Sequence, residues 1–146
     1  MEVQPDFIDL LALFNEHKVD YMIVGGYALA FHGVPRYTGD IDIFIKPTSE
    51  NAKRILLALD EFGFKSVKLT IDDFMNPDTV VQLGVAPVRI DLLTSLTDLS
   101  WEEAFLGRVE GKYGDIIVHY LGRKEFIKNK RATGRKRDVA DLEELE

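Results

Sequence analysis

The stretch that decides the fold runs from Tyr21 to Ile45 and reads YMIVGGYALAFHGVPRYTGDIDIFI. Its first four residues are apolar and are followed by glycine, which is typical of a strand covered on both faces. Gly25 and Gly26 then open a short predicted helix that ends at Gly33. Residues 40–45 alternate polar and apolar side chains at first, which is the period of a strand with one distinctive face. The stretch therefore predicts a strand–helix–strand unit that carries two carboxylates on its second strand.

Further helices and strands are predicted on both sides of this unit. Apolar spacings of three and four residues indicate helices, and short apolar runs between turn residues indicate strands. The predicted helices span 5–19, 52–62, 101–106 and 139–145, and the predicted strands span 64–69, 79–83 and 88–93, with a hairpin over 109–120. This order predicts an α/β (α+β) domain with a mixed sheet flanked by helices.

The bulk composition limits the class of protein. A chain of 146 residues with 46% apolar side chains predicts one domain over residues 1–146. The absence of Cys excludes thiolate metal sites and disulfides. No apolar run approaches the roughly 20 residues needed to span a bilayer. The acidic N-terminus lacks the basic start of a secretion signal. These features predict a cytoplasmic protein with no membrane partner.

The charge is unevenly distributed. A net charge of −7 argues against a general nucleic-acid-coating protein, yet residues 123–137 contain eight Lys or Arg and a single acid. This basic helical segment, residues 122–146, is either a solvated helix face or a surface that attracts phosphates. Asp138 and Asp141 lie three apart in it, so that they can pair with Lys130 or Arg135 and position them.

Three aspartates form the candidate catalytic and metal-binding set. Asp40 and Asp42 lie two apart on a strand and so share a face, while Asp91 is a single acid within an apolar strand. Oxygen ligands without Cys or paired His favour Mg²⁺ or Mn²⁺ over Zn²⁺. A third carboxylate on a neighbouring strand would complete a site for two metal ions about 4 Å apart. The alternative is that Asp40 and Asp42 lie on a solvated strand face.

Taken in order, these motifs resemble the signature of the nucleotidyltransferases of the DNA polymerase β superfamily. That signature is an apolar residue with Gly and Gly or Ser, then Asp-x-Asp, then a later strand Asp; here it falls on Val24-Gly25-Gly26, Asp40-Ile41-Asp42 and Asp91. Within the superfamily, IVGGYALAFHG and DIDI look most like small stand-alone prokaryotic enzymes related to abortive-infection toxin nucleotidyltransferases. The ending K-x-x-x-G-R-x-x-D-x-x-D-L over residues 130–142 is similar to the ending of that group.

The resemblance implies a nucleotidyltransferase fold and a metal-dependent reaction. In that reaction a nucleoside monophosphate passes from a nucleoside triphosphate to an acceptor hydroxyl on RNA such as tRNA, on a protein or on a small molecule. Asp40 and Asp42 would hold both metal ions, Mg²⁺ or Mn²⁺. Asp91 would bind the catalytic metal ion and take the acceptor proton. A toxin–antitoxin component with an antitoxin partner is a further implication.

The resemblance also implies a nucleotide-binding set. The glycine pair would cradle the β- and γ-phosphates, and the other members would supply a hydroxyl or positive charge. The set comprises Gly25, Gly26, Arg36, Thr38, Lys130 and Arg135. Many relatives carry a Ser at or after the second glycine, whereas Gly26-Tyr27 supplies no hydroxyl to a triphosphate here. The alternative function is a degenerate fold that binds a nucleotide or a partner without turnover, and the presence of all three acids favours the enzyme.

Overall fold

The sheet holds six strands of mixed direction. A computed structural model describes residues 3–34, 39–64, 68–85 and 88–145. The strands are β1 (Tyr21–Val24), β2 (Asp40–Ile45), β3 (Val80–Val85), β4 (Val88–Leu93), β5 (Val109–Tyr113) and β6 (Ile116–Tyr120). Their order across the sheet is β3-β4-β2-β1-β6-β5, with parallel pairing of β2 with β4 and of β1 with β6. The other neighbours are antiparallel. The predicted mixed sheet is confirmed.

The helices account for most of the remaining described chain. They are α1 (Pro5–Glu16), α2 (Gly25–Phe31), α3 (Ser49–Phe62), α4 (Trp101–Leu106), α5 (Arg123–Thr133) and α6 (Lys136–Leu145). The side chain of Thr48 caps the start of α3 by accepting a hydrogen bond from the N–H of Asn51. Gly63, with φ of 111°, ends α3 in the left-handed conformation. Among the described residues, no helix is long and apolar enough to cross a membrane.

Several sequence predictions can be compared with the structure in detail. The helix after β1 begins at Gly25, as predicted from the glycine pair that opens it. The basic helical segment forms two helices, because Gly134 adopts a φ of 65° and ends α5, and the second of them begins at Lys136, before the predicted start at residue 139. Half of the predicted strand over 64–69 lies outside the described residues, and residues 64, 68 and 69 are not in a strand.

The core lies where the apolar faces of helices meet the sheet. The inward side chains of α1 are fully buried, and the four residues of β1 are at most 4% exposed. Each fully buried side chain of this size contributes about 1.5–3 kcal/mol of transfer free energy. In β2, Ile41 and Ile43 are buried, whereas Asp40 and Asp42 keep intermediate exposure. The alternation of β2 thus brings the two carboxylates to the rim of the core.

One buried side chain holds the ends of β1 and β2 to α3. The amide nitrogen of Asn51 donates hydrogen bonds of 3.0 Å to the carbonyls of Asp20 and Lys46. Its amide oxygen accepts a 2.8 Å bond from the N–H of Asp20. Because Asn51 is only 1% exposed, these bonds are shielded from water and fix the two strands relative to the helix.

Candidate active site

The register of three neighbouring strands brings the predicted catalytic aspartates to one place. Val24 lies opposite Asp42, and Asp42 lies opposite Asp91 across the parallel β2–β4 pair. The carboxylates of Asp42 and Asp91 are close enough for a hydrogen bond between them to affect the pKa of Asp42. Asp91 is 7% exposed, so that it is buried beside the more open Asp42. The end of β1, where the glycine pair begins, therefore lies next to the carboxylates.

Gly25 makes that close approach possible. It has a φ of +66°, a conformation that residues with a side chain rarely adopt. A Cβ atom at this position would clash with Oδ2 of Asp42. Glycine is therefore required at position 25, because the backbone has a positive φ and because Asp42 leaves no room for a Cβ atom.

Arg89 joins two of the predicted metal ligands. Its Nε lies 2.9 Å from Oδ1 of Asp91, and its terminal nitrogen lies 3.2 Å from Oδ2 of the same carboxylate. The same terminal nitrogen lies 3.0 Å from Oδ2 of Asp40. This bidentate arrangement fixes the plane of the Asp91 carboxylate. The prediction from sequence gave Arg89 no role, although residues two apart on a strand share a face and Arg89-Ile90-Asp91 contains opposite charges at that spacing.

The surroundings of Asp42 compensate its negative charge poorly. Burial, together with the nearby carboxylates of Asp91 and Asp40, raises the pKa of Asp42 to about 6. The positive charge of Lys130 opposes this rise. Three acids with one bridging arginine leave a local excess of negative charge, which a bound cation would relieve.

The opposite wall of the site comes from α5 and α6. Lys130 Nζ lies 3.3 Å from Oδ1 of Asp138, and Arg135 Nε lies 2.7 Å from Oδ2 of the same residue. The hydroxyl of Thr133 also donates a hydrogen bond to this carboxylate. Burial disfavours the charged form of Asp138, but these hydrogen bonds and the Lys130 charge outweigh burial and lower its pKa. The predicted pairing of Asp138 with Lys130 or Arg135 is confirmed, and Asp138 pairs with both.

A second contact holds α5 over the sheet. The amide nitrogen of Asn129 donates a 2.9 Å hydrogen bond to the carbonyl of Thr97, in the segment after β4. Asn129 is 7% exposed, and Phe126 on the same helix is 1% exposed. The helix that carries Lys130 is thereby tied to the segment that follows the strand carrying Asp91.

These two walls enclose a cleft of about 760 Å³. Of the predicted site residues, the cleft is lined by Gly25, Gly26, Asp40, Asp42, Asp91, Lys130 and Arg135. Arg89 and Asp141 line it as well. Arg36 and Thr38 lie outside the described residues. The structure thus brings together residues that are more than 100 positions apart in the sequence, from Gly25 to Arg135.

The fit of this site to a metal ion is partial. Carboxylate oxygens are the donors that Mg²⁺ and Mn²⁺ prefer, and the raised pKa of Asp42 reflects uncompensated negative charge. Within the described part of the chain, however, no three His, Asp or Glu side chains are arranged to hold a metal ion. Arg89 contacts Asp40 and Asp91 and so competes with any cation for their oxygens.

Comparisons with solved structures show the same fold at low sequence identity. A crystal structure from Thermotoga maritima assigned as a nucleotidyltransferase matches with a TM-score of 0.65 and 15% identity, covering 98% of this chain and 94% of that one. The lincosamide antibiotic adenylyltransferase LnuA, in its lincomycin-bound crystal structure, matches with a TM-score of 0.63 and 16% identity, covering 99% of this chain and 98% of that one. The solution structure of the antibiotic-resistance factor ANT(2'')-Ia matches with a TM-score of 0.62 and 13% identity, covering 96% and 80%.

A family comparison matches nearly the whole sequence of this chain. No curated protein matches this chain. A family described as "nucleotidyl transferase of unknown function (DUF2204)" matches residues 4–146, which include all three aspartates and both helices of the basic segment. The chain therefore belongs to this nucleotidyl transferase family.

Proposed function

We propose that the cleft transfers a nucleoside monophosphate from a nucleoside triphosphate to an acceptor hydroxyl, with release of pyrophosphate. The observation that carries this proposal is the placement of Asp42 directly opposite Asp91, beside the start of the glycine pair and across the cleft from Lys130. Negative groups on one wall and positive groups on the other suit a metal-bound triphosphate that needs both.

Asp42 and Asp91, with Asp40 at the rim, are the residues that would hold Mg²⁺ or Mn²⁺. The ion, when bound, would supply Lewis-acid stabilisation of the transferred phosphoryl group. Since Arg89 contacts Asp40 and Asp91, its guanidinium has to turn away from at least one of them for all three carboxylates to act together. Asp91 is the proposed acceptor of the hydroxyl proton, and its buried position keeps water from competing for that role.

The nucleotide-binding residues are proposed on both walls. Gly25 and Gly26 line the cleft and have no Cβ to obstruct a phosphate that approaches their N–H groups, and Lys130 and Arg135 supply positive charge from the other wall. Arg36 and Thr38 are proposed to contact the phosphates from the segment that precedes β2. The volume of about 760 Å³ falls within the range of small-ligand sites and is large enough for one nucleotide.

Two kinds of similarity bear on the acceptor. Two structural neighbours support a small molecule, because one is a lincosamide adenylyltransferase bound to lincomycin and the other is ANT(2'')-Ia in complex with adenylyl-2''-tobramycin. The ending over residues 130–142, which resembles the abortive-infection enzymes, supports tRNA or protein as the acceptor and a paired antitoxin. We propose that the acceptor is a small hydroxyl compound that receives an adenylyl group. Transfer to tRNA or to a protein is the alternative outcome that the experiment has to distinguish.

Calorimetric titration tests whether the cleft binds a metal–nucleotide complex. We expect the protein to bind a non-hydrolysable ATP analogue in the presence of Mg²⁺ and to bind it at least tenfold more weakly without Mg²⁺ (about 1.4 kcal/mol). Asp42→Asn should remove this dependence on the metal. Asp72→Asn makes the same chemical change at an exposed residue outside the cleft and should leave it intact. Equal binding with and without Mg²⁺ in the unaltered protein would show the metal assignment to be wrong.

Label transfer from [α-³²P]ATP then identifies the acceptor class. Purified tRNA, the protein itself with a cell lysate, and a panel of small hydroxyl compounds are offered separately, and the labelled product is resolved by size. Binding without transfer to any of these acceptors would favour the alternative of a nucleotide-binding protein that does not turn over.

A further inference from the structure

The strand β5 forms one edge of the sheet and is open to solvent. Among the described residues it pairs with β6 alone, because the strand order ends at β5. Glu110 and Lys112 are exposed, and Val109 is 38% exposed. An edge strand presents N–H and C=O groups that can pair with another chain, and proteins usually blunt such an edge. The exposed edge of β5 can therefore pair with a strand from another chain.

The hairpin geometry fixes which backbone groups point outward. Tyr113 lies opposite Ile116 across a two-residue turn that begins at Gly114, with φ of +61°. In such a hairpin the residues that flank the turn exchange hydrogen bonds, and bonded residues alternate along the strand. The N–H and C=O groups of Glu110 and Lys112 therefore point away from β6. In the described backbone, no bond outside the sheet reaches the N–H of either residue.

The charge sequence of β5 is complementary to itself. A twofold axis at Gly111 would place a second β5 antiparallel to the first, with Glu110 opposite Lys112 of the other copy and Lys112 opposite its Glu110. Both opposed pairs would then be hydrogen-bonded pairs, with four backbone hydrogen bonds in all and side chains about 5 Å apart at Cβ. Among the described residues neither charged side chain is in a salt bridge, so both are available for this pairing.

The centre of β5 allows a second β5 strand to approach closely. Gly111 has no side chain on the twofold axis, and the rings of Phe31 and Tyr120 lie over it on one face. The hydroxyl of Tyr120 donates a 3.0 Å hydrogen bond to the carbonyl of Lys112. That carbonyl keeps a second lone pair for an N–H from another chain. The other edge strand, β3, lacks this pattern, because residues 80–85 contain no charged residue.

We infer that two copies of this chain associate through antiparallel pairing of their β5 strands. The pairing extends the sheet across the twofold axis and matches opposite charges at both symmetric positions. It leaves the cleft open, because β6 separates β5 from β1, the nearest strand that carries cleft residues. The inference does not depend on the proposed function, since none of the pairing residues lines the cleft.

Charge reversal tests the association without disturbing the cleft. Sedimentation velocity over a dilution series should show a monomer–dimer equilibrium for the unaltered chain. Glu110→Lys and Lys112→Glu each place like charges opposite one another twice, and each should raise the dimer dissociation constant about tenfold or more. Glu144→Lys and Lys124→Glu change the net charge equally at exposed residues elsewhere and should leave the dissociation constant unchanged.

Recombining the reversed charges distinguishes this pairing from any other dimer. The double variant E110K/K112E restores the complementarity and should dimerise like the unaltered chain. A mixture of the E110K and K112E single variants should form heterodimers, because every opposed pair is again of opposite charge. Circular dichroism confirms that each variant is folded. The inference is overturned if the unaltered chain is monomeric at all concentrations, or if the single reversals dimerise normally, or if the mixture fails to form heterodimers.

Discussion

Two aspartates in the same cleft region have opposite surroundings. Asp42, on the sheet wall, is half-buried beside Asp91 and Asp40, and burial together with those charges raises its pKa to about 6. Asp138, on the helical wall, is 1% exposed and accepts hydrogen bonds from Arg135 and Thr133, with Lys130 beside it. Those partners outweigh its burial and lower its pKa.

The difference separates a carboxylate whose charge the fold compensates from one whose charge it compensates poorly. At Asp138 the fold supplies all the partners that a buried carboxylate needs, so that the residue fixes the positions of Lys130 and Arg135. At Asp42 the fold leaves negative charge poorly compensated, and a bound cation would relieve it. A carboxylate with too little compensating positive charge is expected at a functional site rather than in a structural ion pair.

Removing the carboxylate of Asp138 should have the largest effect on stability. Asp138→Asn leaves the buried end of Lys130 without its partner, and we expect a loss of about 3 kcal/mol in the free energy of unfolding at pH 7. Denaturant unfolding followed by circular dichroism measures this loss. The exposed control Asp72→Asn should change the free energy by less than about 0.5 kcal/mol. An equally small change for Asp138→Asn would contradict its role as a clamp.

The same substitution at Asp42 should act in the opposite direction. The pKa of Asp42 is about 6 in the folded protein against 3.8 for the ordinary group, so its neutral form is favoured by folding. That contribution to stability is present at low pH and is lost as the pH rises through about 6. Asp42→Asn should therefore stabilise the metal-free protein by about 1–3 kcal/mol at pH 8 and by almost nothing at pH 4.

Unfolding at the two pH values, with EDTA present, measures this gain. A variant that is less stable than the unaltered protein at pH 8 would show that Asp42 is already well compensated.

Lys130 connects the two walls, and its removal should produce the smallest effect. Lys130→Met takes away the charge that opposes the rise in the pKa of Asp42, so that pKa should move upward. Carbon-13 NMR of the aspartate carboxyls follows the titration directly. The exposed Lys124→Met on the same helix serves as the control. No movement of the Asp42 titration would mean that the basic wall does not reach the carboxylates.

The sequence predicted the sheet wall well because local patterns determine it. Alternation over residues 40–45 predicted the bounds of β2 and the shared face of Asp40 and Asp42, and both agree with the structure. The position of Asp91 opposite Asp42 depends on the parallel pairing of β2 with β4, which no local pattern specifies. From the sequence, only a third carboxylate on a neighbouring strand was expected, from the chemistry of a two-metal site.

The helical wall and Arg89 were harder to predict for a physical reason. The basic residues at 123–137 read equally well as a solvated face, and only the tertiary fold brings Lys130 across the cleft from Asp42. The break at Gly134 depends on a left-handed φ that the sequence permits but does not require. Arg89 contacts carboxylates on two strands, and its link to Asp40 follows from a register that becomes visible only in the sheet.

Transfer of label from [α-³²P]ATP in the unaltered protein and in Asp42→Asn tests the central claim most directly. Assays use Mg²⁺ at pH 8 with the acceptor that gives the highest incorporation, at a temperature where both proteins are folded. The account predicts that Asp42→Asn lowers the rate at least about 100-fold, in the range typical for loss of a charged catalytic group, while the protein becomes no less stable. Transfer by Asp42→Asn at the rate of the unaltered protein would contradict the assignment of the catalytic centre.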